Sequence, residues 1–225
     1  KVEQGTKGNL VFNAVFDEYT YEIHYDLDGG EVTSNPDTYK VTQEITLNKP
    51  TKRGYRFTGW TGTGLSGLTQ DVTIPVGSTG DRDYKANWEL ETYDIHYVLN
   101  GGTVSGGTNK IKYTVLDTFT LINPILEGHI FDGWTGSNGD TPQTEVTITN
   151  EVGEKNFTAN FSANNYTIIF NKNNTNATGS MDPEPMTYDV AKALTKNAFE
   201  YEKHRFVGWT LNAEGTGTVY ADEES

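Results

Sequence analysis

Hydrophobic and polar residues alternate one by one in several short segments, a period typical of half-buried β-strands. Residues 21–27 read Tyr-Glu-Ile-His-Tyr-Asp-Leu, with an apolar side chain at every second position. The pair Asp28-Gly29 follows at once. It predicts a tight hairpin turn, because a type I′ turn requires positive φ at both central positions. The pattern therefore predicts a strand that ends in a turn.

This unit recurs along the chain. The opening strand returns as Tyr93-Asp-Ile-His-Tyr97, followed by Asn100-Gly101, and more loosely as Tyr166-Thr-Ile-Ile-Phe170. A Gly-Trp pair with a Phe three positions before the Trp occurs in all three copies, as Phe57 and Trp60, Phe131 and Trp134, and Phe206 and Trp209. The period is 72 to 75 residues. These fixed spacings predict a tandem array of repeats of about 73 residues.

A second alternating strand closes each complete copy, at residues 84–88 and 157–161, and residues 9–16 match it. We therefore divide the chain into a closing strand of an upstream repeat (1–18), repeat one (19–91), repeat two (92–163) and a truncated repeat three (164–225). The abrupt ends suggest a fragment of a longer protein. The role of the strand at 9–16 stays open, and pairing with the third copy of another molecule is one possibility.

The predicted fold class is mainly β, of a β-rich α+β type. The third copy differs from the others at residues 189–198, where apolar residues follow helical spacing behind Asp189 as a candidate N-cap. We expect a short helix there, and an equivalent helix is possible in the other copies.

The recurring motifs resemble those of the Listeria–Bacteroides repeat, which is similar to the B-repeats of internalin-like proteins. Repeat one carries them best, as Pro50-Thr-Lys-Arg-Gly-Tyr-Arg-Phe-Thr-Gly-Trp60. Repeat two has His129 in place of the Tyr, and repeat three has Lys203 in place of the Gly. The resemblance implies β-grasp-like modules at an extracellular location on the bacterial cell surface, in secreted or cell-wall proteins such as adhesins. It supplies no catalytic residues.

Composition restricts the possible functions. The chain has 33 Thr, 24 Gly and no Cys, which favours strands and turns and excludes disulfides. The mean hydropathy is −0.61, and no apolar stretch is long enough for a membrane span. The net charge of −14 argues against nucleic-acid binding, since phosphate backbones would be repelled.

The recurrent aromatic residues are interpreted as structural core, although the tryptophans could alternatively stack against sugars. The candidate core residues are Tyr25, Phe57, Trp60, Trp88, Tyr97, Phe131, Trp134, Phe161, Phe206 and Trp209. Asp28, Gly29, Asn100 and Gly101 are the candidate turn residues. We expect no catalytic residues, no cofactor and no metal site. The acidic stretch 26–31 resembles a calcium loop, but its counterpart at 98–103 lacks every carboxylate.

The junctions between copies suggest a function. Only four residues separate the closing strand of one copy from the next opening strand, as in Glu89-Leu-Glu-Thr92, with neither Gly nor Pro among them. Such short junctions predict an elongated, semi-rigid, monomeric array that acts as a stalk or spacer without enzymatic activity. The alternative is a binding module, an adhesin repeat that contacts a host surface protein or glycan.

Overall fold

The computed structural model describes residues 1–222, and all regular structure in them is β-strand. Repeat one supplies β1 (Thr20–Asp26), β2 (Thr38–Lys40), β3 (Ile45–Thr46), β4 (Tyr55–Gly62), β5 (Thr73–Ile74) and β6 (Arg82–Leu90). Repeat two supplies β7 (Tyr93–Val98), β8 (Thr103–Val104), β9 (Lys112–Tyr113), β10 (Thr118–Thr120), β11 (Pro124–Ile125), β12 (His129–Gly136), β13 (Gly139–Gln143), β14 (Thr147–Thr149) and β15 (Lys155–Ala163). Repeat three supplies β16 (Asn165–Ile168) and β17 (Glu184–Thr187).

The main sheet of repeat one has the order β2-β1-β6-β4. The closing strand β6 lies between the opening strand β1, to which it runs parallel, and the tryptophan strand β4, to which it runs antiparallel. Ala86 on β6 is the register partner of Trp60, and Tyr84 that of Tyr25. The last strand in the sequence is thus central to the sheet.

Repeat two has the same arrangement with one additional strand, in the order β13-β12-β15-β7-β9. Strand β15 runs parallel to β7 and antiparallel to β12. Strand β13 pairs with the outer edge of β12, where repeat one has only a single bridge between Trp60 and Thr69. Small two-stranded sheets, β3-β5 in repeat one and β10-β14 and β8-β11 in repeat two, complete the modules.

Each complete repeat has its own hydrophobic core. The first core contains Ile23, Tyr39, Leu47, Trp60, Val72, Ile74, Tyr84 and Ala86. The second contains Ile95, Tyr113, Leu121, Trp134, Val146, Ile148, Phe157 and Ala159. Both cores are contributed by the same positions of the repeat, because alternation along each strand places one set of side chains on the inner face.

The chain forms two compact units. Unit 1 contains residues 1–92 together with 114–116 and 150–152, and unit 2 contains the remainder, including the described part of repeat three. In unit 2, repeat three is less regular than repeat two: β16 pairs antiparallel with β17, and isolated bridges join Thr178 to Glu200 and Trp209 to Tyr220.

The helix predicted at residues 189–198 is absent, and the α+β part of the predicted fold class is not supported. Asp189 has φ of 57°, in the left-handed region, whereas a helix N-cap needs a β-region backbone. Val190, expected on the apolar face, is 59% exposed. Lys192 instead donates to the Pro185 carbonyl oxygen at 2.7 Å and pairs with Glu184. Local side-chain contacts therefore replace the helical pattern.

Candidate functional site

The two complete repeats bury their recurring tryptophans fully. Trp60 and Trp134 both have 0% exposure. The Trp60 ring lies 5.5 Å from Phe57 and 5.9 Å from Tyr25. In repeat two, the Trp134 ring lies 5.6 Å from Phe131 and 5.8 Å from Tyr97. Because neither indole face reaches solvent, neither can serve as a platform on which a sugar stacks.

The aromatic residues of the closing strands cover these cores. Trp88 lies 5.6 Å from Phe57 in an edge-to-face arrangement, and Phe161 lies 5.5 Å from Phe131 in the same way. The Trp88 indole N–H donates to the Leu27 carbonyl oxygen at 3.1 Å. The closing strand therefore contributes packing to both of its neighbours, the opening strand and the tryptophan strand.

The candidate core residues of repeat three contact one another but are less buried than those of the complete repeats. Phe206 and Phe170 each lie 4.8 Å from the Trp209 ring. Trp209 is only partly buried, however, and Phe206 is 37% exposed. This cluster thus retains the aromatic contacts of the complete repeats without their burial.

The candidate turn residues adopt the backbone that the sequence suggests. Asp28 and Gly29 have φ of 47° and 78°, and Asn100 and Gly101 have φ of 48° and 87°. Both pairs therefore have the positive φ values of a type I′ turn. The Asn100 side-chain amide also donates to the Ala159 carbonyl oxygen at 2.8 Å, which ties the turn to the closing strand.

A recurrent asparagine on the closing strand, Asn87 or Asn160, has a structural role that the sequence pattern does not predict. The Asn160 amide donates to the Gly133 carbonyl oxygen and to the Thr135 hydroxyl, both at 3.0 Å, and Asn87 makes the same contacts with Gly59 and Thr61. Each asparagine lies opposite a register shift in the tryptophan strand. We call this arrangement the asparagine clamp, and it satisfies backbone groups that the β-bulge leaves unpaired.

Asn160→Ala should destabilise repeat two by about 1–3 kcal/mol, because a partly buried carbonyl then loses its donor. Urea unfolding, with hydrogen exchange to locate the change, measures the effect. Asn156→Ala, an exposed position on the same strand, provides the matched control and should change little. Equal effects of the two variants would contradict a role for the clamp.

The two buried indoles differ in hydrogen bonding. Trp134 donates its N–H to the Asn123 side-chain oxygen at 3.0 Å. Lys49 occupies the equivalent position in repeat one, eleven residues before the tryptophan. The Trp60 N–H finds no acceptor among the described residues, although it is buried. Repeat one thus carries an unsatisfied buried donor that repeat two does not.

Lys49→Asn should stabilise repeat one by about 1 kcal/mol, because it offers Trp60 the acceptor found in repeat two. Asn123→Ala should destabilise repeat two by about 1–3 kcal/mol by leaving the Trp134 N–H unpaired. Chemical denaturation of both variants should show a higher free energy of unfolding for Lys49→Asn and a lower one for Asn123→Ala. A loss of stability in both would show that position 49 does not correspond functionally to position 123.

Burial raises the pKa of one tyrosine on the opening strand of each complete repeat. Burial raises the pKa of Tyr25 to about 12, with a smaller contribution from the negative charge of Asp37, and burial alone raises the pKa of Tyr97 to about 12. Tyr25 donates its hydroxyl to the Pro36 carbonyl oxygen at 2.9 Å, and Tyr97 donates to Lys110 at 3.0 Å. Both hydroxyls therefore anchor the loop that follows the opening strand while they are protonated.

Tyr25 and Tyr97 should lose their hydroxyl protons at a pH about two units higher than an ordinary tyrosine, whose pKa is about 10. Because the folded-state pKa exceeds the unfolded one, their contribution to stability is complete below pH 10 and is lost as the pH rises to about 12. Absorbance at ~295 nm of wild-type and Tyr97→Phe chains checks this. If the Tyr97→Phe chain instead lacked an absorbance change near pH 10, where an ordinary tyrosine titrates, the raised pKa of Tyr97 would be contradicted.

No group of three or more histidine or acidic residues in residues 1–222 is arranged to hold a metal ion. In the stretch that resembles a calcium loop, Asp26 pairs with Lys85, and this hydrogen bond lowers the pKa of Asp26. Asp28 pairs with Lys52 at 3.3 Å. These carboxylates are engaged in ion pairs at the turn.

The four-residue junctions are tied to the preceding repeat by backbone hydrogen bonds. In unit 2, Asn164 N–H donates to the Gly128 carbonyl oxygen at 2.8 Å, and in unit 1 Glu91 N–H donates equivalently to Gly54 at 3.0 Å. In unit 2, Tyr188 of repeat three packs against Gly128, and its ring lies 5.5 Å from that of His129. The turn before each tryptophan strand therefore anchors the chain segment that leaves the repeat.

Comparison with known proteins identifies the repeat. A family model described as the Listeria-Bacteroides repeat domain matches residues 21–83, 93–159 and 166–225, each starting at the opening tyrosine of one copy. The chain belongs to the Listeria-Bacteroides repeat family. The resemblance inferred from the sequence motifs is thereby confirmed. No solved structure matches the chain significantly.

Three relatives contain similar segments. A protein of Evansella cellulosilytica named as a membrane protein is 24% identical over 94% of this chain, and a protein of the same organism named as a Gly-rich membrane protein is 26% identical over 56%. Internalin H of Listeria monocytogenes is 26% identical over 51%. The chain spans 32%, 14% and 20% of these relatives. Within residues 1–222, the structure contains no helix that could cross a membrane.

Proposed function

We propose that this chain is a non-enzymatic spacer segment of an extracellular protein on a bacterial surface. The proposal rests on where the recurring aromatic residues lie. In both complete repeats they form closed cores rather than a solvent-facing cluster, and Trp60 and Trp134 are fully buried. The relatives named as membrane proteins and as Internalin H support a surface location. A net charge of −14 disfavours nucleic-acid partners.

We further propose that each of the two complete repeats is a β-grasp-like module of about 73 residues that lacks a helix. The mixed sheet, in which the opening and closing strands lie side by side and parallel, supports this assignment. We keep the proposed boundaries at residues 19–91 and 92–163, and they are supported by the main sheets, since each range holds one of them.

The parallel pairing of β1 with β6 suits a segment that carries tension. Force along the chain enters repeat one at the start of β1, at Thr20, and leaves at the end of β6, at Leu90. Because the two strands are parallel neighbours, this force pulls them in opposite directions along their axes. The hydrogen bonds between them are then loaded together, in shear, rather than broken one after another. Strands β7 and β15 repeat the arrangement.

Single-molecule force spectroscopy of the full chain tests the spacer function. Stretching from end to end should give high rupture forces, each releasing up to roughly 25 nm of chain per repeat. In the matched control, force is applied to repeat one through Cys introduced at Tyr19 and Ser78, positions near the same end of β1 and β6. This geometry opens the strand pair progressively and should require less force. Equal forces in the two geometries would contradict the tension-bearing function.

A binding module makes a different set of predictions. It would show saturable binding of the chain to a glycan array or a host surface protein, reduced by substitution of an exposed aromatic residue. Small-angle scattering supplies the second measurement: a spacer requires an elongated array, as the four-residue junctions suggest. A compact particle together with saturable glycan binding would replace the spacer proposal with the binding one.

A further inference from the structure

The turn that precedes the tryptophan strand of repeat two is covered by an aromatic ring of repeat three. Gly128 in this turn has φ of 69° and lies against Tyr188, which belongs to the same compact unit. A Cβ at position 128 would overlap with three ring atoms of Tyr188, Cδ1, Cε1 and Cδ2, to nearly the same extent. The glycine therefore lies under the face of the ring, closer than any side chain at this position would allow.

The turn itself does not require a glycine. Lys203 occupies the equivalent position of repeat three and has φ of 64°, so a residue with a side chain adopts a similar backbone conformation there. Repeat one retains the glycine, and within unit 1 the side chain of Val115 lies on Gly54. The glycines at positions 54 and 128 are therefore explained by the side chains that pack on them, not by the turn alone.

Backbone hydrogen bonds hold Tyr188 at this position. Its N–H donates to the Asn164 carbonyl oxygen at 2.9 Å, and the Asn164 N–H donates to the Gly128 carbonyl oxygen at 2.8 Å. The His129 ring lies 5.5 Å from the Tyr188 ring in an edge-to-face arrangement. The negative charge of Glu127 is the main cause that raises the pKa of Tyr188, so its phenol stays neutral at physiological pH. The turn, the junction and Tyr188 are thus joined by a continuous set of contacts.

Tyr188 packs differently from the equivalent tyrosine of repeat two. Tyr113 is 2% exposed and is the register partner of the opening tyrosine, Tyr93. In repeat three, the register partner of the opening tyrosine Tyr166 is Met186, two residues before Tyr188. A shift of two residues leaves each side chain on the same face of its strand. It also places Tyr188 just beyond the end of β17, where its ring reaches the turn of repeat two.

We propose that the turn around Gly128 is a docking socket for an aromatic ring, and that Tyr188 in this socket fixes the orientation of repeat three relative to repeat two. The four-residue junction at 162–165 leaves several backbone bonds free to rotate, and the docked ring adds a second point of attachment. This inference deepens the proposed spacer function, on which its consequence for stiffness rests. The docking contact itself does not depend on that function.

Distances between spin labels in repeats two and three test the proposal on the full chain. Because the chain has no Cys, labels can be attached at Thr141→Cys and Ser180→Cys, two exposed positions of unit 2. Pulsed double electron–electron resonance should give one narrow distance distribution when the socket is intact. Tyr188→Ala should broaden it towards roughly 10 Å, the end-to-end distance of a flexible four-residue segment. Tyr188→Phe keeps the ring and is the matched control, which should keep the narrow distribution.

Gly128→Ala fills the socket without changing the ring and should broaden the distribution as much as Tyr188→Ala. Gly106→Ala is the matched control: Gly106 has φ of 79°, and a Cβ there would meet no atom within 4 Å, so this variant adds similar backbone strain away from the socket. The double variant Gly128→Ala with Tyr188→Ala should be no broader than Tyr188→Ala alone, because both changes remove one contact. Tyr188 lies outside both cores, so its variants leave the complete repeats folded.

Hydrogen exchange provides a second measurement. The amides of residues 164 and 188 should lose protection in Gly128→Ala and keep it in Gly106→Ala, because their hydrogen bonds connect the socket to the junction. A broad distribution with both Gly128 and Tyr188 in place, equal distributions for Tyr188→Ala and Tyr188→Phe, or equal effects of the two glycine variants would overturn the proposal.

These measurements are independent of the rupture force that tests the spacer function. A narrow distribution together with low rupture forces would contradict the tension-bearing function and leave the socket intact. A broad distribution together with high rupture forces would contradict the socket and leave the tension-bearing function intact.

Discussion

Trp134→Ala should destabilise repeat two by about 3–5 kcal/mol, the usual cost of replacing a buried tryptophan by alanine. The indole has 0% exposure and contacts aromatic residues from the opening strand, its own strand and the closing strand. Its removal leaves a cavity that a module of this size has few other residues to fill. Urea unfolding followed by circular dichroism measures the loss, and hydrogen exchange should confine it to residues 92–163.

Ile130→Ala is the matched control for this prediction. Ile130 lies on the same strand, β12, but is 58% exposed, so its truncation should cost well under 1 kcal/mol. Trp209→Ala provides a second comparison and should cost less than Trp134→Ala, because Trp209 is only partly buried. If the Trp134 and Ile130 variants were equally stable, the tryptophan would not be the centre of the core.

The sequence was sufficient to locate the strands and turns that recur. Alternation identified β1 and β7, because an outer and an inner face impose different side chains at successive positions. The spacing of Phe131 and Trp134 identified the tryptophan strand, and positive φ was anticipated at Asn100-Gly101. Each of these features depends on residues that are close together in the sequence, so the sequence pattern is enough to identify it.

Strand partners could not be predicted in the same way. Alternation tells which face of a strand is buried but not which strand lies beside it. The central position of β6 and its parallel pairing with β1 depend on a connection across the whole repeat. The asparagine clamp was missed for a related reason. The Ala-Asn pair at 86–87 recurs at 159–160, but its meaning appears only when the bulge opposite it is known.

The helix predicted at 189–198 is wrong because apolar periodicity alone does not determine the backbone conformation. Val190 and its apolar neighbours have the spacing of a helix face, but Asp189 adopts a left-handed conformation. Lys192 is also held by Pro185 and Glu184 of β17. Tertiary contacts therefore override a weak helical preference in a sequence rich in Thr and Asn.

Gly136→Ala should destabilise repeat two by about 2–6 kcal/mol, from backbone strain and overpacking together. Gly136 has φ of 120°, which side-chain-bearing residues rarely adopt. A Cβ at this position would overlap with the carbonyl oxygen of Asn156 on β15, and backbone atoms in a central strand cannot move aside. Gly62 faces Asp83 on β6 in the same way, so Gly62→Ala should have a comparable effect on repeat one.

Gly139→Ala separates the two causes of this loss. Gly139 has φ of 108°, but a Cβ there would meet no atom within 4 Å, so this variant carries only the backbone strain of about 1–3 kcal/mol. Thermal and urea unfolding of the two variants should therefore rank Gly136→Ala below Gly139→Ala in stability. The reverse order would mean that β12 and β15 separate readily at this point. The closing strand would then not be held tightly enough to transmit tension between the ends of the repeat.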